Sequence, residues 1–322
     1  MKRREFLQAA PLALMLPGLA QAQSYPNRPI RYIVPVAAGG GNDMIARVVA
    51  ERWGSLLGQP FVVENQSGGG GVVASMTTAR AAPDGYTLMQ GYVATHGTTP
   101  ATRKIPYDPI KQFTPIGMIG ATPNVLVVSS SLPVKTVAEF TDFLKKNPDK
   151  ISYGSAGQGS LTHMTMELFK QETGVSLLHI PYRGISLAIN DLLGGQSQAM
   201  FPGLAAVLQH LKSGRMRALA VTGKARSPLL KDVPTMEEVG FKGFDAMQWY
   251  GSVGPAGMPA DVVKRLNEAQ VAVLKAADFR EKLSSEAVEP WPMTSDQFGQ
   301  FIRAEIARWT ALAKARNIHL EE

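Results

Sequence analysis

The chain has 322 residues, of which 45% are hydrophobic, and it carries 33 Lys and Arg against 26 Asp and Glu. The basic residues are scattered rather than clustered with aromatic ones, which argues against a nucleic-acid-binding surface. Because the chain has no cysteine, it can form neither a disulfide nor a thiolate metal site. A chain of this length can form two domains with separate hydrophobic cores.

The N-terminal residues have the pattern of an export signal. Three basic residues at positions 2–4 precede an apolar stretch at 9–19, and residues 20–22 read Ala-Gln-Ala, a signal-peptidase site. The stretch is shorter than the roughly 20 apolar residues that span a bilayer. We therefore expect cleavage after Ala22 and a mature protein in the periplasm. The run Arg-Arg-Glu-Phe-Leu at 3–7 is also typical of a twin-arginine signal, with the general secretory route as the alternative.

A strand, a glycine-rich loop and a helix open the mature chain. The pattern predicts a strand at Ile30–Val34, a loop of small residues from Pro35 to Asn42, and a helix that Asp43 begins and Gly58 ends. A strand, a helix and another strand follow. The predicted order of this unit is βαβαβ.

The same series recurs in the second half of the chain. It begins with a strand at 151–153, a Gly/Ser loop at 154–160 and a helix at 161–173 that Gly174 ends, and it closes with a strand near Phe201. Two such units predict an α/β protein of two lobes joined by a hinge, each lobe a doubly wound sheet flanked by helices. Ligands of such sheets bind beyond the carboxyl ends of the strands, at helix N-termini.

Further elements are expected between and after these units. We predict one lobe from residues 23–123 plus 247–322 and a second lobe from residues 124–246. The further elements are strands at 125–128, 217–222 and 250–253, a helix opened by the capping box at 136–139, and helices near 261–277, 278–285 and 296–315.

The two glycine-rich loops are the candidate ligand site. Residues without bulky side chains let several backbone N–H groups point at one anion, and a helix N-terminus adds about 0.3–1 kcal/mol. The alternatives are ordinary tight turns with Asp43 as an N-cap, and a packing role for His163 instead of a ring N–H that reaches a carboxylate. The candidate contacts are Ala38, Gly39, Gly40, Gly41, Asn42 and Asp43 in the first loop and Ser155, Ala156, Gly157, Gly159, Ser160, Thr162 and His163 in the second.

Five more candidate contacts follow other strands of the two units. Thr95 and His96 come after the third strand of the first unit. Tyr182 and Arg183 come after the second strand of the second unit, and Arg183 is either a partner of an anion or a solvated side chain. Phe201 either contacts the ligand or packs in the core.

Catalytic and metal-binding patterns are missing from the sequence. No serine lies in a G-x-S-x-G motif, and residues 157–162 only nearly match the dinucleotide fingerprint. The five histidines show neither H-x-H nor i,i+4 spacing. We therefore expect no cofactor, no metal and no catalysis, with an enzyme that uses His163 or His96 as a general base as the alternative.

An ordered series of motifs resembles a known family. YPNRPIRYIVPVAAGGGND, LGQPFVVENQSGGGG, ISYGSAGQGSLTHM and DVPTMEEVGF lie in this order between Tyr25 and Phe241. They resemble the Bug-type extracytoplasmic receptors of tripartite tricarboxylate transporters. The family's two ligand loops match residues 37–43 and 155–163.

The resemblance implies a periplasmic-binding-protein fold of type II and a carboxylate ligand held by backbone amides, hydroxyls and bridging waters. It also implies delivery of that ligand to a two-component inner-membrane permease, and we expect a monomer. Family ligands range from citrate and acidic amino acids to nicotinate and dicarboxylates, so the resemblance does not select the ligand. A sensory receptor that presents its ligand to a signalling partner is the alternative function.

Overall fold

The structure is a computed structural model that describes residues 25–39 and 41–319. The predicted signal peptide and its cleavage site lie outside these residues. The strands form two mixed sheets with helices on their faces, which confirms the predicted α/β class. Within the described ranges, every helix falls short of the length and apolarity that a membrane span needs.

The first sheet has six strands in the order β11-β4-β10-β3-β1-β2. Strand β1 pairs in parallel with β2 and β3, whereas β10 runs antiparallel to β3 and β4. These strands are β1 (Ile30–Val34), β2 (Phe61–Asn65), β3 (Thr87–Tyr92), β4 (Phe113–Pro123), β10 (Met247–Pro255) and β11 (Glu289–Pro290). The helices of this lobe are α1 (Gly41–Leu57), α2 (Val72–Ala79), α3 (Thr99–Thr102), α8 (Ala260–Lys275), α9 (Ala277–Ser285) and α10 (Ser295–Ala315).

The second sheet has five strands in the order β7-β6-β8-β5-β9. Strand β6 pairs in parallel with β7 and β8, as β1 does with β2 and β3, so the two repeated units fold alike. These strands are β5 (Val125–Ser129), β6 (Ser152–Ser155), β7 (Leu178–Pro181), β8 (Ala199–Met200) and β9 (Met216–Val221). The helices are α4 (Val137–Lys146), α5 (Leu161–Thr173), α6 (Ile185–Leu193) and α7 (Leu204–Lys212).

The chain passes between the two sheets twice, from β4 to β5 and from β9 to β10. The two crossing segments are tied together, because the backbone N–H of Asn124 donates to Thr222 Oγ1 (2.9 Å), which in turn donates to the carbonyl oxygen of Ala246 (2.7 Å). Paired crossing segments of this kind can act as a hinge. The division of the lobes at residues 124 and 246 stays a prediction.

Large aromatic side chains fill the core of the first lobe beneath the C-terminal half of α1, away from the first loop. Trp53 of α1 packs against Tyr32 of β1 and Phe61 of β2, with ring centroids 5.8 and 4.9 Å away. Tyr32 and Trp53 are fully buried. This packing fixes α1 on the sheet and thereby fixes the position of its N-terminus.

Candidate functional site

The first glycine-rich loop joins β1 to α1, and the carboxylate of Asp43 holds it in shape. Asp43 Oδ2 accepts hydrogen bonds from the backbone N–H of Gly39 (2.9 Å) and from Arg47 Nε (3.0 Å). Its Oδ1 accepts from Asn65 Nδ2 (2.8 Å). Burial raises the pKa of Asp43, but these hydrogen bonds outweigh burial and hold the pKa below its usual value. Asp43 is therefore an ionised brace inside the loop, and its contact with a ligand stays a prediction.

The rest of this loop offers hydrogen-bond donors. Ala38, Gly39 and Gly41 are exposed beside the start of α1, where the first N–H groups have no partner within the helix. Asn42 is 9% exposed and its Nδ2 has no hydrogen-bond partner. Gly40 lies outside the described residues. A group that only accepts hydrogen bonds, such as a carboxylate, suits this set of donors.

The second glycine-rich loop joins β6 to α5, and the hydroxyl of Ser155 is used to build it. Ser155 Oγ accepts from the backbone N–H of Gly157 (3.1 Å), and it lies 2.7 Å from His179 Nε2 and 3.2 Å from the carbonyl oxygen of Gly157. In either tautomer of His179, the hydroxyl proton of Ser155 finds its acceptor within the protein. Gly157 has φ of +127°, a conformation that other residues rarely adopt.

Two more hydroxyls close the same loop. Thr162 Oγ1 accepts from the backbone N–H of Ala156 (2.8 Å), and Ser160 Oγ donates to the carbonyl oxygen of Gly157 (2.6 Å). Ser160 Oγ also caps α5 by accepting from the backbone N–H of His163. These contacts leave the N–H groups of Leu161 and Thr162, the first two of α5, without a partner in the described part of the chain.

His163 supports the second loop from inside. Its Nδ1 accepts from the backbone N–H of Gly159 (3.0 Å), and its ring stacks on His179 at 4.0 Å between centroids. Burial lowers the pKa of His163 to about 4, and burial next to His163 lowers that of His179 to about 3. Both rings are therefore neutral near pH 7. The Nδ1 contact favours the packing alternative over a ring N–H that points at a ligand.

The third strand of the first unit leads to two residues that the structure buries. Thr95 and His96 lie in an irregular helical segment after β3 and are fully buried. The carbonyl oxygen of Thr95 accepts from the hydroxyl of Tyr107 (2.8 Å), and His96 packs edge-on against Phe113. Burial lowers the pKa of His96 to about 3. Their surroundings indicate packing, and their contact with a ligand stays a prediction.

Tyr182 and Arg183 lie beside the second loop. The backbone N–H of Tyr182 donates to the carbonyl oxygen of Ser155 (3.1 Å), whereas its hydroxyl donates to Asp191 Oδ2 (2.6 Å) on α6. The hydroxyl is thus engaged away from the loop. Arg183 is exposed and forms no ion pair or hydrogen bond with the described part of the chain, so its charge is available.

Phe201 lies in the core of the second lobe. Its side chain is fully buried, and its ring packs against Phe169 and Phe244 with centroids 6.1 and 5.9 Å away. These contacts favour packing in the core over contact with a ligand, the two interpretations that the sequence left open for Phe201. The loop that follows it, rather than its ring, lies at the carboxyl end of β8.

Helix α5 also carries a contact between the lobes that the sequence analysis did not identify. Glu167, buried in α5, accepts from Arg316 Nε at the end of α10 (2.9 Å), from the hydroxyl of Tyr153 (2.8 Å) and from Lys170 Nζ (2.6 Å). Leu161, the first residue of α5, belongs to the hydrophobic core of the first lobe. The helix that presents the second loop is thereby held against the other lobe.

In residues 25–39 and 41–319, no group of His, Asp and Glu has an arrangement that holds a metal ion. A surface cavity of about 440 Å3, lined by Ala50, Glu51, Gly54 and Phe61 among others, lies at the opposite end of α1 from the first loop.

Two lobes with paired crossings, each with a glycine-rich loop that opens a helix, define a solute-binding protein of the periplasmic-binding-protein type II class. The model of the tripartite tricarboxylate transporter family receptor matches residues 45–318. The chain belongs to this receptor family, as its motifs predict, and the receptors are binding proteins rather than enzymes.

Solved structures of relatives agree with this assignment. Rpa4515 of R. palustris with adipate is 35% identical, covers 92% of this chain and 99% of its own, and has a TM-score of 0.83. The periplasmic binding protein BugD is 35% identical, covers 92% of this chain and 100% of its own, and has a TM-score of 0.79. MatC of Rhodopseudomonas palustris with bound malate is 31% identical, covers 89% of this chain and 99% of its own, and has a TM-score of 0.78.

Proposed function

We propose that the protein captures a small organic carboxylate between its lobes and delivers it to the two-component inner-membrane permease of a tripartite transporter. The observation that carries the proposal is the pair of matched helix N-termini, α1 and α5, whose unpaired groups are hydrogen-bond donors. Relatives that bind adipate and malate support a carboxylate as the ligand. The protein acts as a monomer in this proposal.

The proposed contacts are the groups that the two loops leave free, because most of the loop hydroxyls and several loop N–H groups already bond within the protein. Arg183 adds one free charge beside the second loop. The N–H groups of Gly39, Ala156, Gly157, Gly159 and Ser160 already donate within the loops. The proposed donors to the ligand are therefore those of Ala38, Gly40, Gly41 and Asn42 in the first loop, the N–H groups of Leu161 and Thr162 in the second, and Arg183.

The energies of such contacts are sufficient for tight binding. A hydrogen bond to a charged group contributes about 1.5–3 kcal/mol, and a helix N-terminus about 0.3–1 kcal/mol. Four or five such bonds can supply the roughly 8 kcal/mol of a micromolar ligand after the cost of ordering. No buried arginine is needed.

Calorimetry on the mature protein tests the proposal with a panel of mono-, di- and tricarboxylates. We expect at least one carboxylate to bind with a dissociation constant near micromolar and neutral sugars of similar size not to bind. If none of the carboxylates binds and a sugar does, the proposal is refuted. Uptake of the labelled ligand in a deletion strain then tests delivery to the permease.

The export route is part of the same proposal. We expect the mature chain in the periplasmic fraction to begin at Gln23, which N-terminal sequencing measures directly. If inactivation of the twin-arginine pathway leaves the uncleaved precursor in the cytoplasm, the protein uses that route. A precursor that accumulates only when the general secretory pathway is blocked would contradict it.

A further inference from the structure

Tyr92, the last residue of β3, carries a hydroxyl that the described fold leaves unpaired. Its side chain is only 9% exposed, and the hydroxyl has no hydrogen-bond partner among the described residues. It is not sealed in the interior, unlike the amide of Gln90, whose nitrogen and oxygen are both enclosed and unpaired. The hydroxyl of Tyr92 therefore reaches open space at the end of an otherwise buried ring.

This open space lies at the edge of the first sheet where the first glycine-rich loop begins. Strand β3 runs parallel to β1, and their register pairs Met89 with Ile33. The same register, continued for three residues, places Tyr92 level with Val36 in the first loop. Ligands of doubly wound sheets bind beyond this carboxyl edge. Tyr92 thus ends beside the groups that are proposed to bind the carboxylate.

The neighbours of Tyr92 hold its ring in one place. A Cβ added to Gly71, at the start of α2, would lie 3.3 Å from Pro35 Cβ and 3.7 Å from Tyr92 Cε1, so the ring and the first residue of the loop approach the same point. On the other side, Tyr250 of β10 lies directly opposite Tyr92 and is 5% exposed. The hydroxyl of Tyr250 forms a hydrogen bond with Gln248, whereas that of Tyr92 stays free.

The chemistry of a tyrosine hydroxyl suits the carboxylate that the first loop is proposed to hold. Burial raises the pKa of Tyr92, so the hydroxyl keeps its proton and can donate it. A carboxylate has two oxygens and about four lone-pair sites, so it can accept from the free N–H groups of α1 and from a hydroxyl together. A methylene group at the same place would leave the hydroxyl without a partner.

We propose that the hydroxyl of Tyr92 donates a hydrogen bond to the ligand carboxylate bound at the N-terminus of α1. This inference rests on the proposed function and adds a side-chain contact to a site built mostly from backbone groups. Because the ring is already fixed by its neighbours, binding orders no further side chain there, and the hydrogen bond contributes nearly its full strength to affinity.

The substitution Tyr92→Phe removes this hydroxyl and leaves the ring. Calorimetry on the mature protein with adipate, malate and the other acids of the panel measures its effect. For every acid that binds the unmodified protein, we expect the dissociation constant to rise between about five- and a hundredfold, the effect of one hydrogen bond to a charged group. A smaller rise means that the hydroxyl binds water instead of the ligand, and it overturns the inference while the proposed function stands. If the unmodified protein binds no carboxylate, the proposed function fails and the inference fails with it.

Tyr25→Phe is the matched control, because its hydroxyl is engaged at the opposite end of β3. Tyr25 donates to the carbonyl oxygen of Gly85 (2.7 Å), just before β3 begins. We expect Tyr25→Phe to lower the midpoint of urea unfolding and to leave the affinity for carboxylates unchanged. Tyr92→Phe should show the reverse, since its hydroxyl has no partner in the described fold to lose. A lower midpoint for Tyr92→Phe would show that the hydroxyl stabilises the fold, which also overturns the inference.

Ultraviolet difference spectroscopy tests for direct contact. A hydrogen bond from a tyrosine hydroxyl to a carboxylate shifts the absorption band of the tyrosine. We expect binding of the acid to produce such a difference band in the unmodified protein and in Tyr25→Phe, and to produce none in Tyr92→Phe at saturating acid. Absence of the band from the unmodified protein, or its persistence in Tyr92→Phe, contradicts the inference.

Discussion

At the scale of single residues, Asp43 holds the first loop of the proposed site in shape. Its carboxylate binds the backbone of Gly39 and the side chains of Arg47 and Asn65. Asp43→Ala leaves these donors unpaired, so we expect a loss of about 1–3 kcal/mol in the free energy of unfolding. We also expect weaker carboxylate binding, because the loop loses its shape. Urea unfolding and calorimetry measure the two effects.

Asp142→Ala, at an exposed position in α4, is the control for the loss of an aspartate. It is expected to leave both the free energy of unfolding and the affinity for carboxylates close to those of the unmodified protein. If Asp43→Ala behaves like this control, Asp43 does not brace the first loop in solution.

The residues that build the two loops show what the sequence can and cannot predict about the site. The glycine runs predict backbone donors, because only such residues permit the conformation of Gly157 and the close approach of an anion. Two partners of the loop side chains cannot be predicted from the loops, because they come from other elements. His179 on β7 engages Ser155, and Asn65 on β2 engages Asp43.

At the scale of secondary structure elements, the contact of α5 with α10 sets the position of the second loop relative to the first lobe. Removing Arg316 leaves Glu167 buried with fewer partners. We expect a double-mutant cycle of Arg316→Ala and Glu167→Gln to give a coupling energy within about 0.5–3 kcal/mol. Urea unfolding of the four proteins measures it, and Arg316→Lys should recover part of the loss.

A matched cycle on Arg226 and Glu238 is the control, because this ion pair is exposed within the second lobe. Exposed ion pairs contribute at most about 1 kcal/mol. A coupling energy at Arg316 and Glu167 no larger than that of the control pair would mean that the contact does not hold α5 against α10.

The elements themselves were predictable to different degrees. Helix α5 begins and ends where the sequence predicts, because Ser160 caps its start and Gly174, at φ +68°, ends it. Strand β4 was missed, because its prolines and glycines read as a loop, although pairing with β10 and β11 buries it. Helix α7 was also missed, because no capping side chain marks its start at Gly203.

At the scale of the whole molecule, buried neutral histidines make stability depend on pH. His96 and His163 have pKa values lowered by burial to about 3 and about 4, whereas an unfolded chain has histidine pKa values near 6.5. Between these values the unfolded state binds more protons than the folded state. The contribution of these histidines to the free energy of unfolding is therefore complete above pH 6.5 and is lost as the pH is lowered toward 4. The slope of this loss approaches about 1.4 kcal/mol per pH unit for each histidine.

Urea unfolding at pH 7.5, 6.5, 5.5 and 5.0 measures this slope above the range in which most carboxylates titrate. We expect His163→Gln to be less stable than the unmodified protein at pH 7.5, because glutamine replaces a stacked and hydrogen-bonded ring. We also expect its stability to fall less steeply with acid, since one buried histidine is gone. His319, which is exposed, is the control, and His319→Gln should keep the full slope. Equal slopes in the unmodified protein and in His163→Gln would mean that His163 is already protonated in the folded state, and the stacked arrangement with His179 would then be wrong.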